Sequence, residues 1–222
     1  VIRSVFITKS PADSGVLYDF CNAHSIDIHY HSFLTFKQVD LLENPSSDVL
    51  FFSSKRAVDY YLQQTALSNK TLIACIGDST KSHLETKGFQ VDFVGENAGQ
   101  PSIVSQKLSD WLGARTITIV LAKDSKQSIL TELDPTKTHL AVVYETVILG
   151  QKIDHAYDCY VFTSPSNVAG FLEENTLPTP AKVIAWGETT KAYLLGKQIE
   201  VTKTLVTSSE QEIVELLKST LH

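Results

Sequence analysis

The sequence has no methionine, two tryptophans and three cysteines in 222 residues. It lacks any apolar run approaching the ~20 residues that cross a bilayer, and any N-terminal apolar stretch ending in a small-residue cleavage site. No membrane contact is expected, and the chain reads as a cytoplasmic protein. The absence of methionine predicts that the initiator residue has been removed or the chain trimmed. Basic tracts are missing too: 19 Lys and Arg stand against 25 Asp and Glu, for a net charge of −6. Nucleic-acid binding rests on neutralising phosphates, so that role is excluded. Cys21, Cys75 and Cys159 are odd in number, widely spaced and set among apolar neighbours, as small buried hydrophobes are. There is no Walker A loop, GxGxxG, HExxH, CxxC or GxSxG, so nucleotide, zinc and nucleophile-elbow chemistries lack their usual residues. His29 and His31 share one face of a strand, a spacing that can bind metal, but without a third ligand they read as surface histidines and no metal is expected.

What the sequence does contain is short apolar runs, each followed by turn residues and a segment of helical spacing. The runs are Val5–Thr8, Ile26–Tyr30, Val49–Phe52, Leu72–Ile76, Val91–Val94, Ile117–Leu121, Leu140–Val143, Cys159–Phe162, Val183–Trp186 and Ile199–Thr202. Continuous rather than alternating apolar character marks strands covered on both faces. Helices are expected at Ser54–Gln64, Asp78–Lys87, Ser102–Leu112, Ser164–Glu174, Glu188–Leu195 and Ser209–Leu221. Ser10-Pro11 and Ser164-Pro165 read as helix starts and Ser209 with Glu212 as a capping box. The alternation predicts an α/β fold with doubly wound parallel sheets.

An internal repeat organises the chain. Sliding it by 110 residues lays Asp48–Leu108 over Asp158–Lys218 without a gap. FFSSKRAV (51–58) falls on VFTSPSNV (161–168), Gly77 on Gly187, Thr80 on Thr190 and Leu84 on Leu194; a looser match lays VFITKS (5–10) over IVLAKDS (119–125). Two five-strand units are expected. One division gives a discontinuous domain of residues 1–32 plus 152–222, a second domain over 39–143 and linker segments at 33–38 and 144–151, with a cleft between the domains. A contiguous division near residue 113 is the alternative.

In parallel sheets ligands bind beyond the carboxyl ends of the strands. Those turns read TKSP (8–11), FSSK (52–55), GDST (77–80), AKDS (122–125), TSPSN (163–167) and GETT (187–190). Each opens a helix whose unpaired N–H groups favour an anion, although each hydroxyl is equally suited to plain N-capping. Lys9, Lys55, Arg56, Lys81, Lys123 and Lys191 lie at or just after strand ends, where a lysine opposes the helix dipole unless an anion is held there.

FTSPSNV (162–168), GETTKAYL (187–194), their first-copy counterparts FSSKRAV and GDSTKSHL, and VYETV (143–147) together resemble the uroporphyrinogen-III synthase family. The resemblance implies two flavodoxin-like domains joined by a two-stranded linker, and no metal or organic cofactor. It implies conversion of linear hydroxymethylbilane, an octacarboxylate, into uroporphyrinogen III: an azafulvene forms, ring D attacks through its substituted carbon, and a spiro intermediate rearranges. Uncatalysed closure gives isomer I. Tyr144 matches the family's linker tyrosine, thought to assist departure of the hydroxyl. Ser164, Ser166, Asn167, Gly187, Thr189 and Thr190 match two signature turns, and Ser54, Lys55, Gly77, Ser79 and Thr80 their first-copy versions. Lys9, beside Ser10, and Lys123 stand where the family often carries arginine, so a point charge replaces a bidentate fork. A monomer is expected, with transient contact to the preceding pathway enzyme. Two other readings stay open: a non-catalytic two-domain binder or sensor of an anionic metabolite, and a response-regulator-like protein, which would want an acidic cluster at its strand ends.

Overall fold

The computed structural model describes residues 2–10, 15–42, 46–68, 70–96, 101–125 and 127–219, without the side chains of 101 and 102. The chain runs through β1 (Ser4–Ile7), α1 (Val16–Ala23), β2 (Asp27–Tyr30), β3 (Leu34–Gln38), β4 (Val49–Phe52), α2 (Lys55–Leu62), β5 (Leu72–Ile76) and α3 (Gly77–Thr86). There follow β6 (Phe93–Gly95), α4 (Pro101–Leu112), β7 (Ile117–Ala122), a 3-10 turn at Ser128–Leu130, β8 (Thr138–Ile148) and β9 (Cys159–Phe162). The last elements are α5 (Pro165–Glu174), β10 (Lys182–Ala185), α6 (Glu188–Gly196), β11 (Lys203–Thr204) and α7 (Glu210–Lys218). These residues form two units, Val1–Thr35 with Val147–His222, and Phe36–Thr146. Among the described residues no helix is long and apolar enough to cross a membrane.

The first unit holds a parallel sheet in the order β11-β10-β9-β1-β2. Successive side chains of a strand point to opposite faces. Val5, Ile7, Cys159, Val161 and Ile184 therefore pack on Leu17 and Cys21 of α1 and Ile213 and Leu217 of α7. Phe6, Tyr160, Phe162, Val183 and Ala185 meet Val168 and Phe171 of α5 and Leu194 of α6. With helices on both faces, every residue of β9 is buried, which is why its sequence does not alternate.

The second unit repeats the arrangement as β6-β5-β4-β7-β8, also parallel, with β3 added beside β8. Leu50, Phe52, Ile73, Cys75 and Val120 pack on α2 and α3; Val49, Phe51, Ala74, Ile119 and Leu121 pack on α4 and the 3-10 turn. At an offset of 110 residues β4 matches β9, β5 matches β10 and β6 matches β11. The places of β7 and β8 are taken in the first unit by β1 and β2, from the other end of the chain. The two units are thus circular permutations of one another. The match extends to single hydrogen bonds. The Asp48 carboxylate accepts the Thr116 N–H and hydroxyl, both at 2.9 Å, and the Asp48 N–H donates to the Thr116 hydroxyl. The Asp158 carboxylate accepts the N–H groups of Arg3 (2.7 Å) and Ser4 (3.0 Å), and the Asp158 N–H donates to the Ser4 hydroxyl.

Several expectations shift. β6 and β11 start later than the apolar runs Val91–Val94 and Ile199–Thr202, because Val91, Ile199 and Val201 pack against the cores from the approaching loops. The two segments expected as a two-stranded linker do contain strand, in β3 and the end of β8. The Leu149 N–H donates to the Phe33 carbonyl and the Val39 N–H to the Val143 carbonyl, each at 2.9 Å, an antiparallel pairing of β3 with the end of β8. α1 begins at Val16 after Gly15; the start expected at Ser10-Pro11 lies partly outside the described residues. Ser209 caps α7 through the Glu212 N–H, but Glu212 turns to the N–H groups of Val206 and Thr207 and leaves the capping box half closed.

Gly170 of α5 sits where no side chain fits. A Cβ there would lie 2.5 Å from the Phe33 Cβ and 3.0 Å from the Ile148 Cγ2. Gly170→Ala is expected to cost about 1–3 kcal/mol through overpacking, read as a lower urea midpoint with an unchanged slope. The Asp158 carboxyl is held below its ordinary range by the Arg3 N–H and then by Ser4, and Asp48 likewise by Thr116. A carboxylate with a depressed folded-state pKa stabilises fully above its unfolded value of about 3.9 and ceases to do so as pH falls through the folded value. Asp158→Ala should therefore lower the thermal midpoint at neutral pH, with the gap from the unaltered chain closing below about pH 4. A gap independent of pH contradicts this.

Candidate functional site

Because the five repeated strands of each unit are parallel, the loops that follow them gather at one edge. In the second unit Phe52 ends β4, and the chain turns through Ser53 into α2. The Ser54 hydroxyl accepts the Ala57 N–H at 3.0 Å and so caps the helix. Lys55 and Arg56 stand exposed in its first turn. Tyr144 lies in β8 opposite Ala122, where the register slips at a bulge. Bulges of this kind re-aim a side chain. Here the phenol ring stacks on Tyr60 (5.4 Å between centroids) and meets Phe36 edge-on (6.0 Å). The Tyr60 hydroxyl donates to the Phe36 carbonyl at 3.0 Å, and the Lys123 N–H donates to the Tyr144 carbonyl at 2.8 Å. The Arg56 guanidinium caps the group from 3.3 Å above the Phe36 ring. Tyr144 is only 7% exposed, and its hydroxyl lies 3.4 Å from the Ser54 hydroxyl at the start of α2.

The other predicted residues of this unit differ in what they present. Gly77 opens α3 with φ at 71°, in the region that favours glycine. Ser79 is exposed, whereas Thr80 is buried in the core. Lys123 is exposed and its ammonium meets the Glu145 carboxylate at 2.8 Å, which holds that carboxyl below its usual range.

At the carboxyl edge of the first unit, Lys9 and Ser10 follow β1 and are exposed. The Lys9 ammonium pairs with Glu210 and lies 5.9 Å from the Trp186 ring. Ser164 caps α5 through the Asn167 N–H at 3.2 Å. The Asn167 side chain is itself buried: its oxygen accepts the Phe33 N–H at 2.9 Å, and its amide donates to the hydroxyls of Thr163 and Ser164. Ser166 is half-buried, Gly187 has extended backbone, Thr189 is exposed and Thr190 is buried. Asn167, Thr80 and Thr190 therefore serve the fold directly. Lys9, Ser10, Lys55, Ser79, Lys123 and Thr189 reach solvent.

Phe36, Tyr60, Glu145 and Glu210 were not foreseen as partners of these residues. Glu145 follows Tyr144 in the quoted VYETV, but nothing in the sequence joins Glu210 to Lys9. His29 stacks on Phe6, and His31 packs against Phe33, where burial and then His29 push its imidazole down. Among the described residues no group of three side chains is arranged to hold a metal. Burial pushes the Cys21 thiol up to about 11 and those of Cys75 and Cys159 to about 12, so none is a thiolate nucleophile at neutral pH.

The sequence profile of HEM4, uroporphyrinogen-III synthase HemD, matches residues 32–216. A search of curated proteins found no match. Among solved structures, uroporphyrinogen-III synthetase from Helicobacter pylori superposes with a TM-score of 0.74 at 19% identity, covering 100% of both chains. A mutant uroporphyrinogen III synthase from the extremely thermophilic bacterium Thermus thermophilus gives 0.56 at 13% identity, over 98% of each chain. At such identities the structural likeness is one of fold, and it agrees with the profile. The chain belongs to the uroporphyrinogen-III synthase family, the cyclising lyases of haem biosynthesis.

Proposed function

We propose that this chain carries out its family's cyclisation of linear hydroxymethylbilane with Tyr144 as hydrogen-bond donor to the departing hydroxyl. The turns at the two carboxyl edges hold the substrate's carboxylates. The observation that carries the reading is the Tyr144 hydroxyl beside Ser54 at the start of α2, in a chain whose residues 32–216 match the family.

The phenol suits this role because its ring is fixed by Tyr60 and Phe36, leaving the hydroxyl as the end that can act. A phenolic O–H is a donor at neutral pH. Donated to the hydroxymethyl oxygen as the C–O bond breaks, it lowers the cost of the leaving hydroxide, and the neighbouring helix N-terminus favours the negative charge that develops. The azafulvene formed by that departure is then attacked by the substituted carbon of ring D; the spiro intermediate rearranges and closes as uroporphyrinogen III. Since closure without enzyme gives isomer I, the protein's larger task is orientation. Backbone N–H groups at Ser54, Lys55, Gly77 and Ser79, and at Ser164, Ser166, Gly187 and Thr189, together with Lys9, Ser10 and Lys123, are the proposed carboxylate holders.

We read the chain as a cytoplasmic monomer, its three free buried thiols fitting a reducing compartment. The uncatalysed loss of substrate to isomer I favours transient contact with the enzyme that supplies it. Product analysis tests the assignment. Hydroxymethylbilane incubated with the chain, oxidised and separated should give mainly isomer III; isomer I alone, at the no-enzyme level, rejects it. Tyr144→Phe keeps the ring packing and should leave the thermal midpoint in place while kcat falls about 10²-fold. Unchanged turnover removes Tyr144 from the mechanism.

A further inference from the structure

Two of the lysines that follow strands, Lys9 and Lys123, already have a carboxylate. Lys9 follows β1 and pairs with Glu210 at the first position of α7; Lys123 follows β7 and pairs with Glu145 of β8 at 2.8 Å. β1 and β7 hold equivalent places in their sheets, each next to the strand that begins the repeat. The two glutamates do not. One lies on a helix and the other on a strand, and the residue 110 positions before Glu210 is the uncharged Gln100. The same neutral arrangement is therefore reached by unrelated residues in the two copies, so common descent of the repeat does not account for it.

The geometry places the lysines outermost. Their side chains are 45% and 66% exposed, against 18% and 34% for Glu210 and Glu145. Each ammonium has three donors and keeps some for a ligand. An incoming carboxylate meets a pair whose charge is balanced by a tethered carboxylate at an effective concentration of about millimolar or above. A small acid exchanging for that carboxylate trades like for like and gains nothing. A ligand with many carboxylates, once held at any one point, makes each further exchange intramolecular.

We propose that Glu145 and Glu210 are resident competitors for Lys123 and Lys9, making these lysines selective for a flexible polycarboxylate over small acids. This rests on the reading that the two lysines hold substrate carboxylates. Specificity here comes from what is rejected as much as from what is bound.

The test is inhibition of hydroxymethylbilane turnover by succinate at constant ionic strength, using the full chain. Glu145→Gln and Glu210→Gln should each lower the succinate inhibition constant about two- to five-fold, the range of an exposed ion pair. Glu145→Asp and Glu210→Asp, which keep the charge, should restore resistance. Inhibition constants equal to that of the unaltered chain in both glutamine variants overturn the proposal. Lys9→Gln and Lys123→Gln separate the two levels. If neither raises KM for the bilane, the underlying reading fails and the proposal with it. If they raise KM while the glutamine variants keep their resistance to succinate, the selectivity proposal alone fails.

Discussion

The ladder between β1 and β9 is the constraint on which the first unit depends. It joins Val5–Ile7 to Cys159–Val161 across more than a hundred and fifty intervening residues, and it is the junction between the N-terminal pair β1 and β2 and the C-terminal strands β9, β10 and β11. The loop-closure entropy of such a contact grows only as the logarithm of loop length. That cost is met by burying all of β9, most of β1 and the helices laid over them. Asp158 closes the start of the ladder by accepting the N–H groups of Arg3 and Ser4. In the second unit the same junction is made by Asp48 and Thr116, residues much closer in sequence.

The parallel sheets decide where chemistry can sit. Every turn singled out for its hydroxyls, glycine or lysine follows a strand, so parallel order brings those of one unit to a single edge. Within the second unit that edge contains Tyr144, clamped by two aromatic rings and a backbone hydrogen bond. In the role proposed for Tyr144, clamping matters because an effective donor has to be oriented before the bond breaks. The rings of Tyr60 and Phe36 hold the phenol in place.

The repeat shows which matched residues belong to the fold. Ser54 and Ser164 both cap helices; Thr80 and Thr190, and Leu84 and Leu194, are buried in both copies. These matches persist because the same backbone demands them. Differences between the copies mark individual character. Arg56 stands where the second copy has Ser166, Gly77 has a positive φ where Gly187 is extended, and the Asn167 amide anchors Phe33 where the first copy has Ala57. Chemistry is better sought in these departures than in the identities.

The β-α alternation, the period of 110 residues, the burial of the cysteines and the helix caps at Ser54 and Ser164 were legible in the sequence, because each follows from neighbours a few residues apart or from direct self-comparison. The starts of β6 and β11 were not, since Val91 and Ile199 are apolar for packing rather than for pairing. β3 and the far end of β8 were hard to read as strands because Thr35, Lys37, Glu145 and Thr146 interrupt their apolar character, as expected where one face is left uncovered. By itself the sequence determined the repeating units, the turns and the family motifs. Only the tertiary structure decided that Lys9 meets Glu210, that Tyr60 and Phe36 hold Tyr144, and that Thr80 and Thr190 face inward. Capping and periodicity act along the chain, whereas ion pairs and ring packing act through space between residues that the fold alone brings within reach.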